Sequence, residues 1–79
     1  MIKAKQIEFS DLPEKLQSKL PKMLQPPRSF VSYYEAKGSY ILVDREGFLN
    51  KNDVKLLAKI DSLIAIKQRD DGIAVLFKK

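Results

Sequence analysis

The residues best equipped for chemistry in this 79-residue chain are its twelve lysines and three arginines, and what they offer is the binding of phosphate oxygens. Lys51, Lys55 and Lys59 recur at i, i+4 and i+8, which aligns three ammonium groups along one side of a helix. Lys15, Lys19 and Lys22 are spaced in much the same way beside a leucine stripe. Lys67 and Arg69 alternate, as neighbours on one face of a strand do. Like charges at i, i+4 repel by roughly 0.2–0.5 kcal/mol per pair, and only Asp11 to Lys15 offers opposite-charge relief at that spacing, so a polyanion is one way to compensate. A solvated face is the other, with lysine stems lying along apolar residues and the heads in water. Because arginine is scarce, bidentate reading of bases is not expected, and any nucleic-acid contact should be backbone-directed and weakly sequence-specific.

The carboxylates make a weaker case. Asp44 and Glu46 stand in a D-x-E pair beside Gly47, and such a pair can bind a hard divalent cation through oxygen. Glu35-Ala36-Lys37 matches the E-x-K half of a metal-dependent nuclease motif, with its lysine at a hairpin tip and no second carboxylate fixed beside it. Asp70 and Asp71 are explained by turn chemistry. No convergent site emerges, so no catalytic residue, metal ligand or cofactor is assigned, and the chain is expected not to be an enzyme.

Composition narrows the remaining classes. The chain has no Cys, which excludes disulfides, thiolate zinc sites and cysteine nucleophiles. It has no His, which excludes imidazole general bases and imidazole-held metals. Its three glycines, Gly38, Gly47 and Gly72, fall in separate turns and build no phosphate loop. The longest apolar run, Ile73 to Phe77, is far short of the ~20 residues that cross a bilayer. Met1 to Gln6 has no apolar stretch behind its lysines, so no signal peptide is read there and the expected location is the cytoplasm, with no membrane partner. A net charge of +5 and a pI near 9.6 favour polyanions. A chain of 9.1 kDa allows one core, hence a single domain over residues 1–79, with about 4,900 Å² of surface left exposed.

The elements that must position these groups follow from pattern. Ile2 to Phe9 reads as a strand with a parity shift between Ala4 and Ile7. Asp11, Pro13 and Glu14 form a helix start, and Leu12, Leu16, Leu20 and Met23 or Leu24 recur at helical spacing. Pro21 interrupts that helix. Leu12-Pro13-Glu14-Lys15-Leu16-Gln17 nearly repeats as Leu20-Pro21-Lys22-Met23-Leu24-Gln25, which predicts two successive helical starts or one kinked helix, stopped at Pro26-Pro27. Phe30 to Ala36 and Ser39 to Asp44 form a hairpin about Lys37-Gly38. Asn50 or Asn52 caps a helix running to about Ser62, with Val54, Leu56, Leu57, Ile60 and Ile64 as its apolar arc. Leu63 to Asp70 and Ile73 to Lys78 form a second hairpin about Asp71-Gly72. The order βαββαββ predicts a two-layer α+β domain, with helices on one face of a largely antiparallel sheet. At the level of fold alone it resembles ferredoxin-like βαββαβ domains with the last strand doubled, a fold that implies no particular function.

Register arithmetic then exposes a surplus. Pairing about Lys37-Gly38 sets Ala36 against Ser39, Tyr34 against Ile41 and Ser32 against Val43. One face carries Phe30, Tyr34, Ile41 and Val43; the other carries Val31, Tyr33, Tyr40 and Leu42. Pairing about Asp71-Gly72 sets Ile66 against Phe77 and Gln68 against Val75, with Ala65, Lys67, Arg69, Ala74 and Leu76 opposite. Two short helices can cover only one apolar face, so the other must meet a loop, a second copy or a ligand. Val31, Tyr33, Tyr40 and Leu42 are taken as that interface, with Tyr33 and Tyr40 as stacking platforms beside Lys67 and Arg69. The expected function is association with DNA or RNA through Lys51, Lys55, Lys59, Lys67 and Arg69, in a chain that self-associates as a homodimer or other homo-oligomer. The alternative is a protein–protein interaction or oligomerisation module, an adaptor or regulatory subunit, whose edge strand ending in Leu76-Phe77-Lys78-Lys79 a partner could extend.

Overall fold

Proline sets the rhythm of the first helical region. Pro13 and Pro21 hold the preceding residues, Leu12 and Leu20, in extended backbone (ψ 153° and 142°). Each proline then opens a short helical segment: α1 (Glu14–Lys19) after Pro13, and a 3-10 turn (Lys22–Leu24) after Pro21. The near-repeat is therefore two successive starts. Asp11 does not cap α1 as expected. The extended residue ahead of Pro13 leaves it upstream, in an earlier 3-10 turn (Phe9–Asp11), where its carboxylate accepts the Glu8 amide at 2.9 Å. The leucine spacing survives both breaks, for Leu12, Leu16, Leu20 and Leu24 are all buried. The lysine row does not, because Pro21 separates Lys22 from the helix that carries Lys15 and Lys19.

The computed structural model describes residues 4–25, 31–45, 50–69 and 72–79. Within them, β1 (Lys5–Ile7), β2 (Val31–Ala36), β3 (Ser39–Asp44), β4 (Leu63–Arg69) and β5 (Gly72–Lys78) form one sheet in the order β1-β2-β3-β5-β4. Every pairing is antiparallel. The sheet thus lacks the parallel pair of a βαβ unit, which sets it apart from the ferredoxin-like arrangement. Among the described residues, two 3-10 turns join the strands and two helices of this α+β arrangement. The Pro26-Pro27 stop, Phe30, the Glu46-Gly47 loop and the Asp71 turn position lie outside the described residues.

The β2–β3 register is the expected one, with Ala36 opposite Ser39, Tyr34 opposite Ile41, and Gly38 at φ +82°. The β4–β5 register is displaced: Arg69 faces Gly72, Gln68 faces Ile73 and Ile66 faces Val75, with a bulge between Leu63 and Ala65. Gly72 therefore belongs to the strand. At φ +136° it lies against the Asp44 and Arg45 backbone, a close approach only glycine allows. The displacement is two residues, so the side chains from Ala65 to Arg69 keep their expected faces, while the bulge moves Leu63 to the Phe77 side.

α2 (Lys51–Ala58) starts where Asn50 Oδ1 accepts the Asp53 amide at 2.8 Å. It ends at Ala58, short of the expected Ser62. Two turns of helix bring only part of the predicted arc inward: Leu57 and Ile60 are buried, while Val54, Leu56 and Ile64 are 40%, 45% and 54% exposed. Leu16 of α1 and Leu57 and Ile60 pack into one cluster with Tyr33, Leu42, Val75 and Phe77. Both helices thus cover the same side of the sheet. This reverses the assignment of Val31, Tyr33, Tyr40 and Leu42 as the spare face. Val31, Tyr33 and Leu42 are core, Tyr40 packs against it, and the opposite side of the sheet carries no described helix.

Candidate nucleic-acid interface

Alternation along β2, β3 and β5 turns Tyr34, Ile41, Val43 and Leu76 to the side away from the helices. All four are half-buried, supported by their sheet neighbours, and none belongs to the core cluster. The small residues Ser32, Ala36 and Ala74 fill the spaces between them and are buried. Lys67, opposite Ala74, is exposed on this side, and Arg69 stands two residues further along β4, opposite Gly72. Arg45 lays its guanidinium here too, donating to Ser32 Oγ at 2.7 Å. Lys78 takes the register position opposite Ser39 at the far end.

Both carboxylates of the described strand residues fall on the helical side instead. Asp44 faces Val31 and Ile73 and is wholly buried, so it is no solvent-facing cation ligand; its proposed partner Glu46 lies outside the described residues. Glu35 faces Tyr40 and holds the Lys79 ammonium at 3.0 Å, which leaves the E-x-K match without a convergent site. Among the described residues no group of three or more potential metal ligands gathers. The open face is consequently cationic at its edges and apolar at its centre, with no described strand carboxylate.

The other residues singled out from sequence are dispersed. Lys51 and Lys55 are exposed on α2 and Lys59 is exposed at its C-terminal cap. Since α2 packs on the core side, these three stand across the sheet from Lys67 and do not share a surface with it. Tyr33 is no stacking platform: its hydroxyl donates to Leu24 O at 2.6 Å, and its ring meets Phe9 edge-on at 5.6 Å. Burial raises its pKa above the ordinary value of 10.0. Tyr40 packs against the core under the Lys79 ammonium, 5.3 Å from its ring centroid. Among the described strand residues the aromatic ring on the side away from the helices is that of Tyr34, one position from Tyr33. Glu35 alternates with Tyr33 and Asp44 with Tyr40, so the strand carboxylates share the face of those two tyrosines and not that of Tyr34.

None of the described helices is long and apolar enough to cross a membrane. Searched against protein-family models, curated proteins and solved structures, the chain matches none.

Proposed function

We propose that this chain is a non-enzymatic module that binds single-stranded nucleic acid across the open face of its sheet. The observation behind this reading is the pairing, on one face, of an apolar and aromatic centre (Tyr34, Ile41, Val43, Leu76) with cations at the edges and no described strand carboxylate. Edge cations neutralise phosphates while bases stack on Tyr34 and its apolar neighbours. A duplex would engage the edges and leave the centre unused, which favours the single strand. Lysine at the edge supplies charge without bidentate base reading, so sequence preference is weak. Joining two copies through this face sets cation against cation with no described strand carboxylate to offset them, which argues against the homodimer.

The test is fluorescence anisotropy with labelled oligonucleotides across a salt series. Binding should fall linearly on log–log axes with a slope of about −2, for roughly three phosphate contacts at −0.7 each. Tyr34→Ala should weaken binding by about 1–3 kcal/mol. Absence of binding at low salt, or binding insensitive to salt, refutes the reading. So does a dimer in light scattering that Ile41→Lys dissolves, since that would put a second copy on the face.

A further inference from the structure

We infer that a cleft on the helical side of the sheet is a binding site for a small amphipathic organic anion, a short apolar body ending in a carboxylate or phosphate. The cleft has a volume of about 290 Å³ and lies between α1, the turn from Ile60 to Ser62, and the chain at Tyr40 and Lys78–Lys79. Its volume is at the small end of the roughly 300–1,000 Å³ of ligand pockets, which suits a body of few atoms rather than a folded segment. Pro13, Leu16, Tyr40 and Ile60 give it apolar walls. Leu16 and Ile60 also belong to the core, so these walls are anchored and the cleft is pre-formed.

Charge selects the occupant. Lys15, Lys19 and Lys79 line the cleft against one acid of the lining, Asp61, while Lys78 borders it from a strand position whose alternation belongs to the other face. Lys15 and Lys19 stand at i, i+4 on α1, a like-charge pair that an anion between them relieves. Neither has an ion-pair partner among the described residues. A third cation is fixed in place: the Lys79 ammonium sits 3.0 Å from the Glu35 carboxylate and 5.3 Å from the Tyr40 ring centroid. The Ser62 hydroxyl, also in the lining, can donate to an anionic head. An apolar body seats against Leu16, Tyr40 and Ile60 while its charge meets Lys15 and Lys19. Neither an uncharged hydrocarbon nor a bare anion satisfies both halves of the site. This inference is independent of the nucleic-acid reading, which uses the opposite side of the sheet.

The experiment titrates the chain, with amide chemical shifts and calorimetry as readouts, against four probes: octanoate, octyl phosphate, octanol and inorganic phosphate. The first two distinguish a carboxylate from a phosphate head. At least one should saturate below its micelle concentration, with shifts centred on Leu16, Tyr40 and Ser62. Octanol and inorganic phosphate should each bind about tenfold more weakly or not at all. The double variant Lys15→Gln/Lys19→Gln should weaken the amphiphile about tenfold with a melting temperature unchanged or slightly raised, and Lys67→Gln should leave it unaffected. The inference is overturned if neither amphiphile binds, if octanol binds as well as octanoate, if the shifts map to Tyr34 and Val43, or if an acidic peptide fills the same cleft more tightly than either.

Discussion

The side-chain amide of Gln17 reaches back and donates to the carbonyl of Leu12 at 2.6 Å, and Gln25 does the same to Leu20 at 2.7 Å. The paired bonds give the L-P-x-x-L-Q repeat a structural meaning. A residue before proline is extended, so its carbonyl stands outside the helix that follows and has no helical partner. The glutamine five positions on supplies one. Gln17→Ala and Gln25→Ala should each cost about 1 kcal/mol in urea unfolding, the net worth of a part-buried hydrogen bond. Gln17→Glu should cost more than Gln17→Ala at neutral pH, because an ionised carboxylate cannot donate and faces a carbonyl oxygen. Equal costs for both Gln17 variants would show that the amide does not satisfy Leu12.

Tyr33 links this region to the sheet through its bond to Leu24 O. Tyr33→Phe should destabilise the chain by about 1–3 kcal/mol, since it strands a buried carbonyl. The hydroxyl also carries an alkaline signature. Its folded pKa is raised above 10.0 by burial, so its contribution is complete below pH 10 and declines as pH climbs through the folded value. Ultraviolet titration should show a tyrosine ionisation step above the ordinary value of 10.0. That late step should vanish in Tyr33→Phe, and its persistence would move the assignment to another ring.

The two described glycines, Gly38 and Gly72, both have positive φ and differ in what surrounds them. At Gly38 a Cβ would meet open space, so Gly38→Ala carries only the conformational penalty, about 1–2 kcal/mol. At Gly72 the same atom would collide with the backbone of Asp44 and Arg45. Backbone there cannot step aside as a flexible side chain can, and β3 and β5 must separate. Gly72→Ala should therefore lower the denaturation midpoint distinctly more than Gly38→Ala, with the chain less stable by about 3 kcal/mol or more. A smaller loss at Gly72 than at Gly38 would contradict the close approach of the two strands.

Local chemistry in the sequence was enough to place the hairpin at Lys37-Gly38, to narrow the cap to Asn50 or Asn52, and to place the Pro21 break and the leucine stripe from Leu12 to Leu20, because each depends on neighbours a few positions away. Two features were beyond it. The sharp turn of the second hairpin was read at Asp71-Gly72, since a D-G pair carries the same local signal whether its glycine turns the chain or sits inside a strand. Only the approach of β3, distant in sequence, decides that. The second was which side of the sheet the helices cover. Alternation distinguishes Tyr33 from Tyr34 and says nothing about which of them meets Leu16 and Leu57. That choice is made by the path of the chain, and it exchanged the expected interface with the core. Lys51, Lys55 and Lys59 are exposed at helical spacing on α2 and its C-terminal cap, yet such a row acquires a partner surface only through tertiary placement.

That placement separates two explanations of polyanion binding that composition leaves merged. If affinity follows net charge, Lys51→Gln/Lys55→Gln/Lys59→Gln, which lowers the formal charge from +5 to +2 (5 − 3 = 2), should weaken binding far more than Lys67→Gln, which leaves +4 (5 − 1 = 4). If affinity follows the open face, the order inverts. The triple variant then keeps oligonucleotide affinity within about twofold and preserves the salt slope. Lys67→Gln reduces that slope by about 0.7, and Tyr34→Ala weakens binding without changing it. Removing the lysine row should also stabilise the chain slightly, by roughly 0.2–0.5 kcal/mol for the like-charge pair at Lys51 and Lys55. Anisotropy on the three variants at two salt concentrations decides the matter. A triple variant that loses both affinity and slope while Lys67→Gln loses neither would transfer the nucleic-acid contact to α2 and leave the apolar sheet face for another partner.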